Sequence, residues 1–437
     1  MSISGKFLLH QDSFSLNHEE FARSLAKIEN ILIVQDLDGV CMGLVKDPLS
    51  RIIAKEYVEA TKFFQGHFYV LTNGEHIGER GVNGIVERAF QDPTRVREGG
   101  FYLPGLAAGG VQWQDNRGNI SHPGVSEEEL SFLAEVPLKI ETRLKDFFTQ
   151  YPDILSQSDR SQCIRASVLK NKVSPTANLN TLYDRLSDRT DIYVSLQQAM
   201  QNLMRELLTE AREKGLENSF FVHYAPNLGK DSQGNEILWE ASDRNSGTTD
   251  FQFMLKGAIK EAGVVALLNR YYYYRTGEYP LEKGFNVREA VKQGEDLLGL
   301  VKSNFAPQLM PTIVGVGDTV TSKADTTENG IEFRRGGSDR NFLQLIQDMG
   351  KEFDTGNIIA YVDSSQGEVK NRKPVKLGKF VNNEGESPTE EFRVIEGPGD
   401  GRDVEDPLKL NVVFPRGHQQ YIQFFSQAAR KRQQLQN

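Results

Sequence analysis

The sequence contains little cysteine and no long apolar run, and these absences exclude several classes of protein. Two cysteines, Cys41 and Cys163, stand among 437 residues, which is too few for a disulfide framework and fits a reducing compartment. No stretch approaches the roughly 18 uninterrupted apolar residues that span a bilayer. The first residues also lack the basic start and apolar run of a signal peptide. We therefore expect a cytoplasmic protein without a membrane partner.

Positive charge is also in short supply. Lysine and arginine total 51 against 60 aspartate and glutamate residues, which gives a formal net charge of −9. An acidic chain is poorly suited to bind nucleic acid, so we expect no nucleic-acid partner. An enzyme of this charge that acts on a phosphorylated substrate would need local positive charge or a metal ion at its site.

The most informative segment is ILIVQDLDGV at positions 31–40. Its apolar start predicts a buried parallel strand, and Asp36 and Asp38 follow at the strand end, where α/β proteins bind ligands. Gly39 lets the chain turn. Two carboxylates in this place suit one acid as a nucleophile or metal ligand and the other as a proton carrier. A turn with two solvated acids would explain the pair equally well unless matching groups follow.

Matching groups do follow at later strand ends. FYVL at 68–71 predicts a second buried strand that leads into Thr72, Asn73 and Gly74, and a strand over 310–317 leads into Asp318. A helix predicted over 251–274 carries Lys256 near its start. Phosphoryl transfer through an aspartyl-phosphate needs these groups: two acids, a hydroxyl and an amide for the phosphoryl oxygens, a lysine, and a further acid for Mg²⁺.

The order of elements predicts an α/β fold with an inserted domain. Buried strands alternate with helices in both ends of the chain, which is typical of a parallel sheet. Between them lie long charged helices with strand-like pieces at 163–173 and 218–227. We expect a core built from residues 1–123 and 246–437 and an α+β insertion over 124–245. Residues 321–339 and 365–408 are expected to form long polar excursions.

These motifs resemble the haloacid dehalogenase superfamily of phosphatases. Asp36-Leu37-Asp38-Gly39 resembles its first motif, Thr72-Asn73-Gly74 its second, Lys256-Gly257 its third and Gly317-Asp318 its fourth. The four occur in order, and the resemblance covers most of the chain. It implies a Rossmann-like haloacid dehalogenase core with a parallel sheet plus an inserted α+β cap domain.

The longer strings LIVQDLDGVCM, FYVLTNGEH and GVGDTVTS resemble the glucosylglycerol-phosphate phosphatases, a salt-tolerance family. That resemblance implies hydrolysis of the sugar phosphate 2-O-glucosylglycerol 3-phosphate to phosphate and glucosylglycerol, a compatible solute. It also implies a partnership with the synthase that makes the ester. Sucrose phosphate and trehalose phosphate remain alternative substrates.

The resemblance implies a role for each site residue. Asp36 is expected to be the nucleophile and a Mg²⁺ ligand, and Asp38 the general acid and base with its backbone carbonyl on the metal. Thr72 and the Asn73 amide are expected to hold the phosphoryl group, and Lys256 to neutralise it. Asp318 is expected to complete the metal site.

Two positions depart from the superfamily pattern. A second acid usually follows the fourth motif by about four residues, where this chain has Ser322. Asp339, which opens the next predicted helix, and Asp325 are the candidates, and we rank Asp339 first. Lys256 also lies unusually far before Asp318, so Lys302 competes with it for the lysine role.

Two other functions fit part of the pattern. A sugar-nucleotide glycosyltransferase also uses an Asp-x-Asp pair on a divalent cation, but it leaves Thr72, Lys256 and Asp318 unexplained. A non-catalytic protein that binds a sugar phosphate is the second alternative, although it has no need of both Asp36 and Asp38.

Overall fold

The computed structural model describes residues 16–230, 235–242, 245–292, 297–327, 330–369, 372–382, 389–398 and 406–436. The strands, in chain order, are β1 Ile31–Gln35, β2 Phe68–Leu71, β3 Gly105–Ala107, β4 Gln112–Gln114, β5 Ile120–Ser121, β6 Val168–Leu169, β7 Thr176–Asn178, β8 Phe220–Ala225, β9 Asn227–Lys230, β10 Glu236–Leu238, β11 Asp250–Leu255, β12 Thr312–Gly317, β13 Thr321–Thr327, β14 Gly330–Gly336, β15 Ile358–Val362, β16 Lys376–Asn382, β17 Thr389–Glu396 and β18 Val412–Phe414.

The α-helices connect these strands and cover the sheets. They are α1 His18–Lys27, α2 Lys55–Thr61, α3 Val82–Phe90, α4 Pro93–Gly99, α5 Glu127–Gln150, α6 Gln157–Ser167, α7 Asn180–Arg185, α8 Thr190–Glu213, α9 Lys260–Thr276, α10 Val287–Lys292, α11 Leu297–Asn304, α12 Arg340–Phe353 and α13 Gly417–Gln436. No helix within the described ranges combines the length and the apolar content needed to cross a membrane.

The core is an eight-stranded sheet in the order β18-β15-β12-β1-β2-β3-β4-β5. Its strands pair in parallel from β18 to β3, and β4 and β5 add an antiparallel edge. Every residue of β1 is buried. Ile31 and Ile33 belong to the apolar cluster of α1, α2 and α13, whereas Leu32 and Val34 belong to that of α9 and α12. Helices on both faces and a parallel sheet confirm the predicted α/β core.

A second, four-stranded antiparallel sheet has the order β6-β7-β11-β8. Helices α5 and α8 cover one of its faces, where the rings of Phe132, Phe220 and Phe253 lie 5.0–5.8 Å apart. These elements form the α+β insertion expected from the sequence, and we call them the cap. Strand β11 pairs inside this sheet, so the cap extends past the boundary expected at residue 245.

The segment expected to be a helix over 251–274 is a strand followed by a helix. In β11, Phe251 and Phe253 are buried and Gln252 between them is half-buried, which is the period-two alternation of a sheet with one covered face. The chain turns at Gly257, whose φ is +86°, and α9 begins only at Lys260. The apolar residues alone are compatible with either period over so short a run.

The two segments expected as polar excursions contain hairpins. Strands β13 and β14 pair antiparallel within 321–336, and β16 and β17 pair antiparallel within 376–396. Both hairpins form sheets of two strands that lie outside the core sheet. Their sequences lack the continuous apolar run of a core strand, which is why the sequence predicts loops there.

Candidate active site

Three buried carboxylates meet at the carboxyl end of the core sheet. Asp36 directly follows β1, Asp318 directly follows β12, and Asp339 is the residue before α12. One oxygen from each lies within 4.8 Å of the others. Asp339 Oδ2 accepts hydrogen bonds from the backbone N–H groups of Asp318 at 2.9 Å and Thr319 at 3.1 Å, which joins the start of α12 to the end of β12.

The structure therefore brings Asp339 close to Asp36 and Asp318. Asp339 is the candidate that the sequence analysis ranks first for the second acid. Ser322 and Asp325 lie on β13, and their side chains fall outside the described part of the molecule. The hairpin of β13 and β14 fills the interval between Asp318 and Asp339. This insertion explains why the second acid stands 21 residues beyond the first instead of about four.

The structure places Lys260 beside these acids, where the sequence predicts Lys256. Lys260 Nζ lies 2.6 Å from Asp36 Oδ2 and 2.6 Å from Asp339 Oδ1, and the residue is 3% exposed. Lys256 is exposed and its Nζ donates to the Glu217 carbonyl at 3.3 Å. The other candidate, Lys302, pairs with Glu352 on the surface. The helix that carries the lysine starts nine residues later than the sequence predicts, at Lys260 instead of residue 251, so its first turn holds Lys260 and not Lys256.

Burial and mutual repulsion shape the electrostatics of the cluster. Burial raises the pKa of Asp36 to about 8, with Lys260 opposing the shift and Asp339 and Asp318 adding to it. Burial also raises the pKa of Asp318 to about 6, against the opposing charge of Arg372. For Asp339, burial acts in the same direction, but Lys260 and two backbone amides outweigh it and hold the pKa below its usual value.

The carboxylate cluster fits a hard divalent cation. Three acids face two cations, Lys260 and Arg372, whose Nη2 lies 3.9 Å from Asp318 Oδ2, so the buried carboxylates outnumber the positive charges beside them. Asp318 Oδ2 is buried and has no hydrogen-bond partner among the described residues. An unsatisfied buried carboxylate oxygen in an all-oxygen donor set matches the coordination preference of Mg²⁺.

Gly39 is required by the close approach of Asp318. Its φ is +79°, and a Cβ at this position would lie 2.2 Å from Asp318 Oδ2. Any other residue would therefore be strained in its backbone and would collide with the carboxylate. The glycine that the sequence suggests for a turn also makes room for the third acid.

Asp38 lies beside the cluster and pairs with an arginine that sequence reasoning missed. Arg51 Nη1 lies 2.9 Å from Asp38 Oδ2 and 3.3 Å from Oδ1. Thr72 is buried, and its Oγ1 accepts from the Gly74 amide at 3.2 Å. The position that a Cβ of Gly74 would take lies 3.7 Å from Thr72 Oγ1 and 3.9 Å from Asp38 Oδ2. The side chains of Asp38 and Thr72 therefore lie on either side of this position, and Asn73 lies in the chain between Thr72 and Gly74.

The loop after Thr72 attaches the core to the cap. Glu75 is buried, and its carboxylate accepts from the backbone N–H groups of Lys172, Val173 and Ser174 at 2.7–2.9 Å. Burial raises the pKa of Glu75 against these hydrogen bonds. A second contact joins Lys46 Nζ to Asp184 Oδ2 on α7 at 2.5 Å. These contacts bring the β6-β7 side of the cap over the core loops that follow β1 and β2.

Comparison with known proteins shows which family the chain resembles. The family model described as Glucosylglycerol-phosphate phosphatase (Salt_tol_Pase) matches residues 30–429. The chain is 58% identical over 425 residues to the glucosylglycerol-phosphate phosphatase of Synechocystis sp., covering 97% of this chain and 98% of that protein.

Two solved structures are also similar. The C-terminal domain of trehalose-6-phosphate phosphatase from C. albicans is 10% identical with a TM-score of 0.44, covering 96% of this chain and 99% of that one. Trehalose-6-phosphate phosphatase from Aspergillus fumigatus is 11% identical with a TM-score of 0.34, covering 82% and 92%. By the family-model match and the 58% sequence identity, the chain belongs to the glucosylglycerol-phosphate phosphatase family.

Proposed function

We propose that the protein hydrolyses 2-O-glucosylglycerol 3-phosphate to glucosylglycerol and phosphate through an aspartyl-phosphate intermediate. The observation that carries the reaction type is the contact of Lys260 with Asp36 and Asp339, beside Asp318. The substrate follows from membership of a family whose relative in Synechocystis sp. bears that name. Production of a compatible solute for salt tolerance follows from the same membership.

The first step transfers the phosphoryl group to the enzyme. A carboxylate oxygen of Asp36 attacks phosphorus in line, and the bond from phosphorus to the ester oxygen breaks. The electron pair leaves with that oxygen, and Asp38 donates a proton to it. The products of this step are the aspartyl-phosphate and the free glucosylglycerol.

The second step regenerates the carboxylate. Asp38 accepts a proton from a water molecule, whose oxygen attacks phosphorus as the bond to Asp36 breaks. Lys260 balances negative charge on the phosphoryl oxygens in both steps, and the Thr72 hydroxyl and the Asn73 amide donate hydrogen bonds to them. This assigns to Lys260 the role that the sequence gave to Lys256.

Asp36, Asp318 and Asp339, with the backbone carbonyl of Asp38, would hold Mg²⁺. When bound, the ion supplies a positive charge that stabilises the transferring phosphoryl group. The protein would act in the cytoplasm on a product of the synthase that makes the phosphate ester, which we propose as its functional partner. The glycosyltransferase alternative gives no role to Lys260 or Thr72.

A phosphate-release assay with Mg²⁺ tests the proposal. Glucosylglycerol phosphate, sucrose phosphate and trehalose phosphate are compared at equal concentration, with wild type, Asp36→Asn and, as a control, the exposed Asp146→Asn on α5. We expect release from glucosylglycerol phosphate in wild type and in Asp146→Asn, and none above background in Asp36→Asn. Comparable rates on all three esters would refute the substrate, and full activity of Asp36→Asn would refute the mechanism.

A further inference from the structure

The side chain that neighbours the proposed proton carrier is itself held in one orientation. Arg51 contacts Asp38 through Nη1, and its other nitrogens are also engaged. Nε donates to the Pro48 carbonyl at 3.1 Å, and Nη2 donates to the Arg80 carbonyl. The Arg51 side chain is 10% exposed, whereas that of Asp38 is 32% exposed. A planar guanidinium bonded at three nitrogens has little freedom left, so it can fix the direction of the carboxylate.

The residue whose carbonyl holds Arg51 reaches into the cap. The buried guanidinium of Arg80 donates to the carbonyls of Arg165 at 2.7 Å, Ala166 at 3.3 Å and Val168 at 2.8 Å. These carbonyls lie at the carboxyl end of α6, where the last turn of a helix has no intrahelical donors. Arg80 therefore satisfies the end of a cap helix with its side chain and holds Arg51 with its backbone.

A continuous series of hydrogen bonds thus runs from the cap to the site: α6, the Arg80 side chain, the Arg80 carbonyl, the Arg51 guanidinium and the Asp38 carboxylate. We infer that Arg51 is a positioning residue for Asp38 and that Arg80 couples the position of the cap to it. This inference rests on the proposed role of Asp38 as proton carrier. A proton donor must lie within hydrogen-bond reach of the leaving oxygen, so displacement of α6 would turn Asp38 away from its working direction.

The inference predicts a dependence on the leaving group. An alkoxide leaves poorly without a proton, whereas p-nitrophenolate leaves unprotonated, so only the sugar ester should need a correctly placed Asp38 in the first step. The ratio of kcat/KM for 2-O-glucosylglycerol 3-phosphate to kcat/KM for p-nitrophenyl phosphate reports this step. We expect Arg51→Met to lower the ratio by about 100-fold, within the usual contribution of general acid catalysis.

Arg80→Met tests the coupling, because it removes the guanidinium and keeps the carbonyl that holds Arg51. We expect it to lower the ratio by roughly 10-fold through kcat, with KM for the sugar ester unchanged, as for a misplaced catalytic group. The double variant Arg51→Met/Arg80→Met should be no worse than Arg51→Met, since the two residues act in series. A rise in KM alone in Arg80→Met would overturn the coupling and assign Arg80 to sugar binding.

Arg88→Met is the matched control, because this exposed arginine donates to the Arg51 carbonyl at 3.3 Å and does not contact Asp38. It should leave the ratio unchanged. Arg51→Lys keeps the positive charge but loses the planar guanidinium, so it should lower the ratio less than Arg51→Met does. Circular dichroism and thermal unfolding verify that each variant folds. Equal losses on both substrates in both Arg51 variants would refute the positioning role.

The wild-type enzyme separates this inference from the proposed function. If wild type releases phosphate only from p-nitrophenyl phosphate and another alkyl ester such as glycerol 3-phosphate, the proposed substrate is wrong. The same ratio is then measured with that alkyl ester and decides the role of Arg51 by the same outcomes.

Discussion

The contrast between two lysines four positions apart tests the active-site assignment most directly. Lys260→Met would remove a buried ammonium group that lies 2.6 Å from Asp36 Oδ2 and from Asp339 Oδ1. Methionine has a similar length and no charge, so the substitution removes the charge with little change in volume. Lys256→Met applies the same chemical change at the exposed position that the sequence favoured.

The size of the effect follows from the geometry. At 2.6 Å, a pair of unit charges attracts by about 6 kcal/mol at an effective dielectric constant of about 20, and the desolvation of both groups offsets much of this. The loss of a fixed electrostatic contact to the transferring group costs about 3–4 kcal/mol in the transition state, or roughly 10²–10³ in kcat. Lys256 contacts only a carbonyl at the surface, so its loss should change kcat by less than about 2-fold.

Phosphate release from 2-O-glucosylglycerol 3-phosphate at saturating Mg²⁺ measures both variants. Thermal unfolding and circular dichroism establish that Lys260→Met is folded, since its substitution leaves two buried carboxylates without their counter-charge. A folded Lys260→Met with wild-type kcat would refute the assignment. A large loss in Lys256→Met would equally contradict it and would return the role to the residue that the sequence pattern indicates.

Three further changes have expected outcomes. Gly39→Ala should lower phosphate release by about 100-fold, because its Cβ would stand 2.2 Å from Asp318 Oδ2. Arg288→Met should lower the free energy of unfolding, measured in denaturant, by about 3–5 kcal/mol, because it strips the buried Glu129 carboxylate of its two 2.7 Å hydrogen bonds. Burial raises the pKa of Asp250 from 3.8 to about 6, so this carboxyl binds its proton more tightly in the folded state. The free energy of unfolding should therefore fall by about 3 kcal/mol as the pH rises through roughly 4 to 6. Asp250→Asn should abolish that fall.

Each of these changes has a control. Gly84→Ala, in the interior of α3 with only a side-chain nitrogen 3.7 Å from the new Cβ, should retain activity. Lys302→Met removes an exposed ion pair and should cost less than about 1 kcal/mol. Asp191→Asn, at a carboxylate that is 73% exposed, should leave the pH dependence unchanged. Wild-type activity in Gly39→Ala would contradict the argument from the Asp318 contact. Equal losses of stability in Arg288→Met and Lys302→Met would contradict the argument from the buried pair, and a wild-type pH dependence in Asp250→Asn would contradict the argument from burial.

The core strands and their terminal acids could be predicted because each carries its own local signal. Strands β1 and β12 are mostly apolar and buried. Asp36 directly follows β1, and Asp318 directly follows β12. Strand pairing in parallel then places these ends at one edge of the sheet. Asp339 was within reach of the same reasoning, because it precedes a strongly amphipathic helix.

Lys260 could not be selected in this way. Its choice over Lys256 depends on where β11 ends and α9 begins, and element boundaries are the weakest part of a sequence prediction. The turn at Gly257 packs against Arg288, whose Cα lies 2.9 Å from the place that a Cβ of residue 257 would take and whose Nε donates to the Lys256 carbonyl at 3.1 Å. That contact joins residues 31 positions apart, and no local pattern announces it.

The amino-acid sequence by itself determined the α/β core, the presence of an inserted cap, the family and the acids Asp36, Asp38 and Asp318. These properties follow from burial periodicity and from motifs that are contiguous in the chain. Only the tertiary structure showed which lysine lies beside the acids, how far the second sheet extends along the chain and which side chain pairs with Asp38. Arg51 and Arg80 lie in loops whose sequence has no hydrophobic periodicity. Their contacts with Asp38, with each other and with the end of α6 form only in the folded chain.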